Sequence, residues 1–189
     1  GLGNGLDNNW YLDGNNASVV SSDGNKTTVQ MGSGYRGDLW LARSGKGKIV
    51  NVTPADYRYF AIKVGFKSQL VPGKNKPNGC IKLEIFDDGI KKIGPEYFGT
   101  GGDANNRYEI LGASEISTTE PNVLYYDLQS KYKTVTPTDW NQVFDLVQCK
   151  FVIADFPETA QTYDLYWIRS FKSIEELQAF VDSENNTNE

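Results

Sequence analysis

The chain has 189 residues, of which 39% are apolar and 23% are charged, proportions typical of a soluble globular domain. Nineteen basic and 24 acidic side chains give a net charge of −5, which argues against nucleic acid as a partner. No apolar run approaches the roughly 20 residues of a membrane span, so direct membrane insertion is not expected. The chain contains no histidine, which excludes Ser-His-Asp and Cys-His relays and histidine-based zinc sites.

The first part of the sequence predicts a flexible lead-in followed by a β-hairpin. Residues 1–9 are rich in Gly and Asn and are expected to be flexible. Residues 17–21 and 26–31 have the composition of short strands and flank the turn sequence Ser-Asp-Gly-Asn at 22–25. We expect Gly24 to supply the positive φ angle of a tight turn.

Alternating apolar residues predict further strands along the chain. The strongest pattern covers residues 56–66, where Phe60, Ile62, Val64 and Phe66 recur at a period of two. Strands are also predicted at 38–43, 80–86, 122–128, 147–154 and 163–169. Residues 94–107 are predicted to form a long Gly-rich loop, in which Tyr97 and Phe98 either contact a sugar or pack as a small cluster of their own, and packing is favoured.

One helix is predicted near the C-terminus. Ser173 and Glu176 form a capping box, and Ile174, Leu177 and Val181 follow at helical spacing. The helix is expected to end near Asp182, and residues 183–189 are expected to form a disordered tail. About ten strands and one helix favour an all-β fold, an antiparallel jelly-roll-like β-sandwich with one short C-terminal helix. We expect a single domain over residues 10–182.

Four segments, read together, resemble a known family: residues 59–64, 123–128, 151–155 and 166–177. They look like a Bacteroidetes exported β-sandwich domain of uncharacterised function, found in polysaccharide-utilisation proteins beside glycoside hydrolases and in surface glycan-binding lipoproteins. Order and spacing match from about Trp10 to Phe180, and the stretch YWIRSFKSIEEL at 166–177 is the most specific part. The resemblance implies a sandwich similar to carbohydrate-binding modules, but no binding residues. Trp167 and Phe171 are expected to fix the last strand and to hold the helix.

Trp40 is the leading candidate for stacking against a sugar ring. Ligand sites pair aromatic surface with a few placed polar groups, and the flat face of Trp or Tyr suits a pyranose ring. Leu39 and Leu41 share one face of the predicted strand, so Trp40 and Asp38 occupy the other. Tyr35 and Arg36 are close in sequence and complete this predicted carbohydrate-binding group. The alternative is that Trp40 packs beneath a loop or the terminal helix.

Trp140 is the second candidate, because it lies in a polar segment where Asp139 and Asn141 are placed to bind hydroxyl groups. The alternative is a loop anchor tucked into one end of the sandwich. Tyr57 and Tyr59 fit either an exposed aromatic stripe or cross-strand packing, and packing is favoured.

No cofactor is required by the sequence. The oxygen-rich segments 13–16 and 103–106 are compatible with a structural calcium ion, although turn formation explains both segments more simply. Cys80 and Cys149 are read as two buried thiols or as one disulfide. The strand-associated carboxylates Glu84, Asp127, Asp155 and Asp164 show no spacing that marks a catalytic pair, so no enzymatic activity is expected.

The predicted function is a non-catalytic carbohydrate-binding module that holds a polysaccharide at the cell surface or near a partner glycoside hydrolase. The alternative is a structural spacer or protein-docking domain without a glycan ligand. Expected partners are a polysaccharide or oligosaccharide and neighbouring domains of the same chain. The resemblance implies an extracellular or outer cell surface location, although the sequence contains no recognisable signal peptide.

Overall fold

The computed structural model describes residues 13–32, 36–42, 50–52, 58–67, 81–86, 97–98, 109–127, 144–146, 148–154 and 161–187. The first strands are β1 (Asp13–Asn15), β2 (Ala17–Ser22), β3 (Thr27–Met31), β4 (Arg36–Ala42), β5 (Val50–Val52), β6 (Tyr59–Phe66) and β7 (Ile81–Phe86). The others are β8 (Tyr97–Phe98), β9 (Glu109–Ile110), β10 (Asn122–Asp127), β11 (Phe144–Leu146), β12 (Gln148–Ala154) and β13 (Thr162–Phe171), followed by helix α1 (Ile174–Asn186).

The strands form two main antiparallel sheets. One has five strands in the order β1-β4-β12-β7-β8, and the other has six in the order β2-β3-β13-β6-β10-β9. A small additional sheet pairs β5 with β11. The chain passes repeatedly from one main sheet to the other, as a jelly-roll-like sandwich requires. The predicted all-β sandwich with one short C-terminal helix is confirmed.

The core lies on the inner face of the six-stranded sheet. The predicted apolar face of β6 is buried, since Phe60, Ile62, Val64 and Phe66 are at most 6% exposed. Gly37 on β4 of the five-stranded sheet lies close to this core, because a Cβ atom there would lie 3.0 Å from the Met31 side chain. A larger residue at position 37 would therefore crowd the Met31 side chain and the Asn16 carbonyl oxygen.

The predicted hairpin is confirmed, but its turn differs from expectation. Strands β2 and β3 pair in antiparallel register around residues 23–26. Among the described residues, only Asn16 and Gly112 have positive φ angles, so Gly24 does not supply one. Instead, Asp23 Oδ1 accepts hydrogen bonds from the backbone N–H groups of Asn25 at 2.7 Å and Lys26 at 2.9 Å. The turn is thus closed by a carboxylate, a role that Asp commonly takes.

Helix α1 begins as predicted and ends later. The Ser173 hydroxyl accepts a hydrogen bond from the Glu176 backbone N–H at 3.2 Å, which confirms the N-cap. The predicted end near Asp182 is wrong, because the helix continues to Asn186. Residues 183–186, expected in a disordered tail, are therefore helical. The described part of the chain contains no helix with the length and apolar character needed to cross a membrane.

Helix α1 packs on the outer face of the six-stranded sheet through an aromatic cluster. Trp167 is 1% exposed, and its ring lies edge-on to Phe180 at a centroid distance of 5.3 Å. Phe171 lies 6.4 Å from Trp167 and 5.6 Å from Phe180. The expectation that Trp167 and Phe171 fix the last strand and hold the helix is confirmed.

Candidate functional site

The backbone register places two rows of mostly polar and aromatic residues across the five-stranded sheet. In the first row, Trp40 on β4 lies opposite Asp13 on one side and Lys150 on the other. Lys150 in turn lies opposite Glu84 on β7. The row therefore brings an aromatic residue beside three charged residues that are far apart in sequence.

The second row lies two residues further along the same strands. Asp38 lies opposite Asn15 on β1 and Val152 on β12, while Lys82 on β7 lies opposite both Val152 and Tyr97. We call these two sets of residues the polar rows. Their only aliphatic member is Val152.

The polar rows alternate with apolar rows that face the other sheet. Leu39 is 1% exposed and lies opposite Phe151, which is opposite Leu83. Gly37, two residues before Leu39, faces Met31 of the six-stranded sheet. Because successive residues of a strand alternate between its two faces, the backbone register places the polar rows on the opposite face of the sheet from Leu39 and Gly37.

Asp38 lies deep within this arrangement. It is 5% exposed, so its neighbours cover it, and direct contact of Asp38 with a large ligand is not supported. Burial raises the pKa of the Tyr163 hydroxyl, and the negative charge of Asp38 raises it further. The carboxylate of Asp38 is thus close enough to the sandwich interior to act on Tyr163.

The structure describes the other predicted site residues only in part. Trp40 and Arg36 lie on β4, with Arg36 opposite Ala154, but their side chains are outside the described part of the structure. The predicted contacts Tyr35, Trp140, Asp139 and Asn141 also lie outside the described residues. The assignment of Trp40 and Trp140 as sugar contacts therefore stays a prediction.

Sequence reasoning did not single out Lys82, Lys150 or Val152 of the polar rows, and it considered Glu84 only as a possible catalytic carboxylate. Tyr97 was expected in a loop cluster, but it forms strand β8 at the edge of the five-stranded sheet. The alternation of Lys82 and Glu84 with apolar neighbours was visible in the sequence. The sequence does not reveal the strand register that places these residues beside Trp40.

The outer face of the six-stranded sheet carries a second aromatic group, beside the part covered by α1. The rings of Tyr59 and Tyr125 lie 6.3 Å apart at an angle of 58°, and both residues are half-buried. This pair confirms cross-strand packing for Tyr59, while Tyr57 lies outside the described residues. Burial raises the pKa of the Tyr125 hydroxyl, as does the nearby charge of Glu109.

An Arg–Asp pair borders the two tyrosines. Arg58 donates from Nε to Asp127 Oδ1 and from Nη2 to Asp127 Oδ2, both at 2.8 Å. This two-point hydrogen bonding raises the pKa of Arg58. The guanidinium also lies 5.1 Å from the centre of the Tyr59 ring. Asp127 is thereby held in a structural ion pair.

Asp164 is held in the same way on β13. Its Oδ2 accepts a hydrogen bond from Lys26 Nζ at 2.8 Å, and its Oδ1 accepts one from the Thr28 hydroxyl at 2.6 Å. Of the other two carboxylates that the sequence singled out, the Glu84 side chain and the whole of Asp155 lie outside the described part of the chain. That these two form no catalytic pair therefore stays a prediction.

The segments considered for calcium and the cysteines are also only partly described. Asp13–Asn15 form strand β1, and Asn16, with a φ angle of 54°, leads into β2. Residues 103–106 lie outside the described residues, as do Cys80 and the side chain of Cys149. Within the described residues, no group of three or more Cys, Asp or Glu side chains is placed to hold a metal ion.

The fold defines this protein as an antiparallel β-sandwich domain. The chain belongs to the family described as Domain of unknown function (DUF4979), which it matches over residues 3–177. No curated protein and no solved structure matched the chain. Membership of an uncharacterised domain family agrees with the resemblance, whereas the Bacteroidetes origin and the likeness to carbohydrate-binding modules stay predictions. The match ends inside α1, so Glu184 lies beyond it.

Proposed function

We propose that this domain is a non-catalytic carbohydrate-binding module whose binding face is the set of polar rows. The observation that carries this proposal is the register that brings Trp40 and Tyr97 onto one face of the five-stranded sheet, among Lys, Asp and Glu residues. Aromatic rings offer flat apolar surface to a sugar ring, and charged groups bind its hydroxyls.

The dimensions of the face suit a chain of sugars. Trp40 lies on β4 and Tyr97 on β8, with β12 and β7 between them. Three strand spacings amount to about 14 Å, the length of a short oligosaccharide. Strands hold such residues more rigidly than loops do, so little conformational entropy is lost on binding.

A role in binding the polysaccharide is favoured over a role in hydrolysing it. Asp127 and Asp164 are both engaged in ion pairs, which supports a non-catalytic domain. In the longer proteins that the resemblance implies, such a domain keeps a polysaccharide at the outer cell surface or near a partner glycoside hydrolase. This location and these partners are part of the proposal.

Titration calorimetry against a panel of plant and host polysaccharides tests the proposal. We expect at least one glycan to bind, and we expect Trp40→Ala and Tyr97→Ala each to weaken binding about tenfold or more. Tyr166→Ala is the matched control, because it removes a half-buried ring from the other sheet. Absence of heat with every glycan, or wild-type affinity of Trp40→Ala, overturns the proposal and favours a spacer or docking domain.

A further inference from the structure

Arg169 stands apart from the other partly buried cations of the described structure. Its Nε is buried and has no hydrogen-bond acceptor. Lys26, Arg58 and Lys63, by contrast, each form an ion pair with a carboxylate. The Arg169 guanidinium instead lies over an aromatic ring, since its Cζ is 4.5 Å from the centre of Phe180.

A half-buried guanidinium with an unsatisfied donor favours an added anion. Burial removes water from the N–H group without replacing the lost hydrogen bond. A carboxylate supplies the acceptor and the opposite charge together, and the planar guanidinium matches its geometry. A carboxylate bound beside this guanidinium would therefore be favoured by its opposite charge and its planar geometry.

The tyrosine pair lies next to Arg169 across the sheet. Arg169 is opposite Ala61 on β6, and Ala61 is opposite Tyr125 on β10. Ala61 is 0% exposed although it carries only a methyl group, so the larger residues around it close over it. Tyr59, two residues away on β6, completes the pair with Tyr125.

We propose that this part of the sheet is a second ligand site, which binds a sugar ring bearing a carboxylate. Arg169 receives the carboxylate, and the half-buried rings of Tyr59 and Tyr125 contact the face of the sugar. The Arg58–Asp127 pair at the border offers polar atoms to ring hydroxyls. The site is on the opposite sheet from the polar rows, so the test of this site does not depend on the proposed function.

The test compares trigalacturonate with its methyl ester, which keeps the sugar rings and removes the charge. In calorimetric titrations of the wild-type protein, we expect the acid to bind about tenfold or more tightly than the ester. Arg169→Gln should abolish this preference, and Arg169→Lys should keep part of it. Tyr125→Ala should weaken binding of both compounds.

Two control variants distinguish recognition by Arg169 from general charge attraction and from binding at the polar rows. Lys172→Gln removes an exposed charge three residues from Arg169 and should leave the preference unchanged. Trp40→Ala should also bind trigalacturonate normally, even if it fails to bind a neutral polysaccharide. Thermal melting of each variant establishes that it is folded. Equal binding of acid and ester, binding of neither, or a preference that persists in Arg169→Gln overturns the proposal.

Discussion

The indole Nε1 of Trp167 donates to both carboxylate oxygens of Glu184, at 3.1 and 3.2 Å. The same carboxylate lies 3.3 Å from Lys63 Nζ on the neighbouring strand. Glu184 thus joins the last turns of α1 to β13 and to β6 at once. This contact explains why the helix continues past Asp182, where the sequence pattern weakens.

We expect Glu184→Ala to lower the free energy of unfolding by about 1–3 kcal/mol, because it leaves the buried Trp167 N–H without an acceptor. Urea unfolding measures the change. Gln178→Ala is the matched control on the exposed side of α1, and its effect should stay within about 0.5 kcal/mol. Truncation after residue 182 should destabilise at least as much as Glu184→Ala. Equal stability of Glu184→Ala and the control contradicts a docking role for Glu184.

Two glycine substitutions should have opposite effects. Gly24 lacks a positive φ angle, and a Cβ atom there meets nothing within 4 Å. Gly24→Ala should therefore stabilise the protein by about 0.4–1 kcal/mol, through loss of freedom in the unfolded chain. Gly112 has a φ angle of 74°, so Gly112→Ala should destabilise it by about 1 kcal/mol. Thermal melting distinguishes the two, and destabilisation by Gly24→Ala would show that the turn requires glycine after all.

Stability at acid pH should depend on Asp164. Burial acts to raise its pKa, but hydrogen bonds from Lys26 and Thr28 outweigh burial and leave the pKa below the ordinary value of 3.8. The folded state therefore binds this proton less readily than the unfolded state. The resulting stabilisation is complete above the unfolded pKa and is lost as pH falls through the folded pKa.

Urea unfolding of Asp164→Asn between about pH 6 and pH 2 measures this contribution. Wild type should be the more stable protein at the upper end, and the difference should shrink as the pH falls below about 4. Asp182→Asn, which changes an exposed carboxylate on α1, should show no such narrowing. A constant difference between wild type and Asp164→Asn across this range would contradict the argument.

The fluorescence of Trp167 should be shielded from solvent, because this residue is 1% exposed. A variant with Trp10, Trp40 and Trp140 replaced by Phe retains Trp167 as its single indole. Acrylamide should quench this variant much less than it quenches free tryptophan. Efficient quenching would mean that α1 does not stay on the sheet in solution.

Much of the architecture was predictable because its signals are local. The alternation of Phe60, Ile62, Val64 and Phe66 identified β6 and its buried face. The Ser173 cap identified the start of α1 from four consecutive residues. The same local reasoning failed for Gly24, where the dipeptide Asp-Gly allowed two ways of closing the turn and the Asp23 side chain supplied the one observed.

The candidate site was predictable only in part. Trp40, Arg36 and Asp38 were chosen as neighbours in sequence, and they do share strand β4. Asp38 is nevertheless buried, and Tyr97 belongs to a strand rather than to a loop cluster. Exposure depends on the residues that cover a position, and most of those come from other parts of the chain.

Period-two alternation, turn residues and a helix cap act over a few neighbouring residues, so the chain by itself specified an antiparallel β protein with one C-terminal helix. The set of residues that share a surface was decided by strand order and register, which join Trp40 to Lys150 and Arg169 to Tyr125 through Ala61. These pairings bring together residues distant in sequence, and a shift of one position would send every side chain of a strand to the opposite face. Strand order and register are therefore fixed only when the whole core packs together.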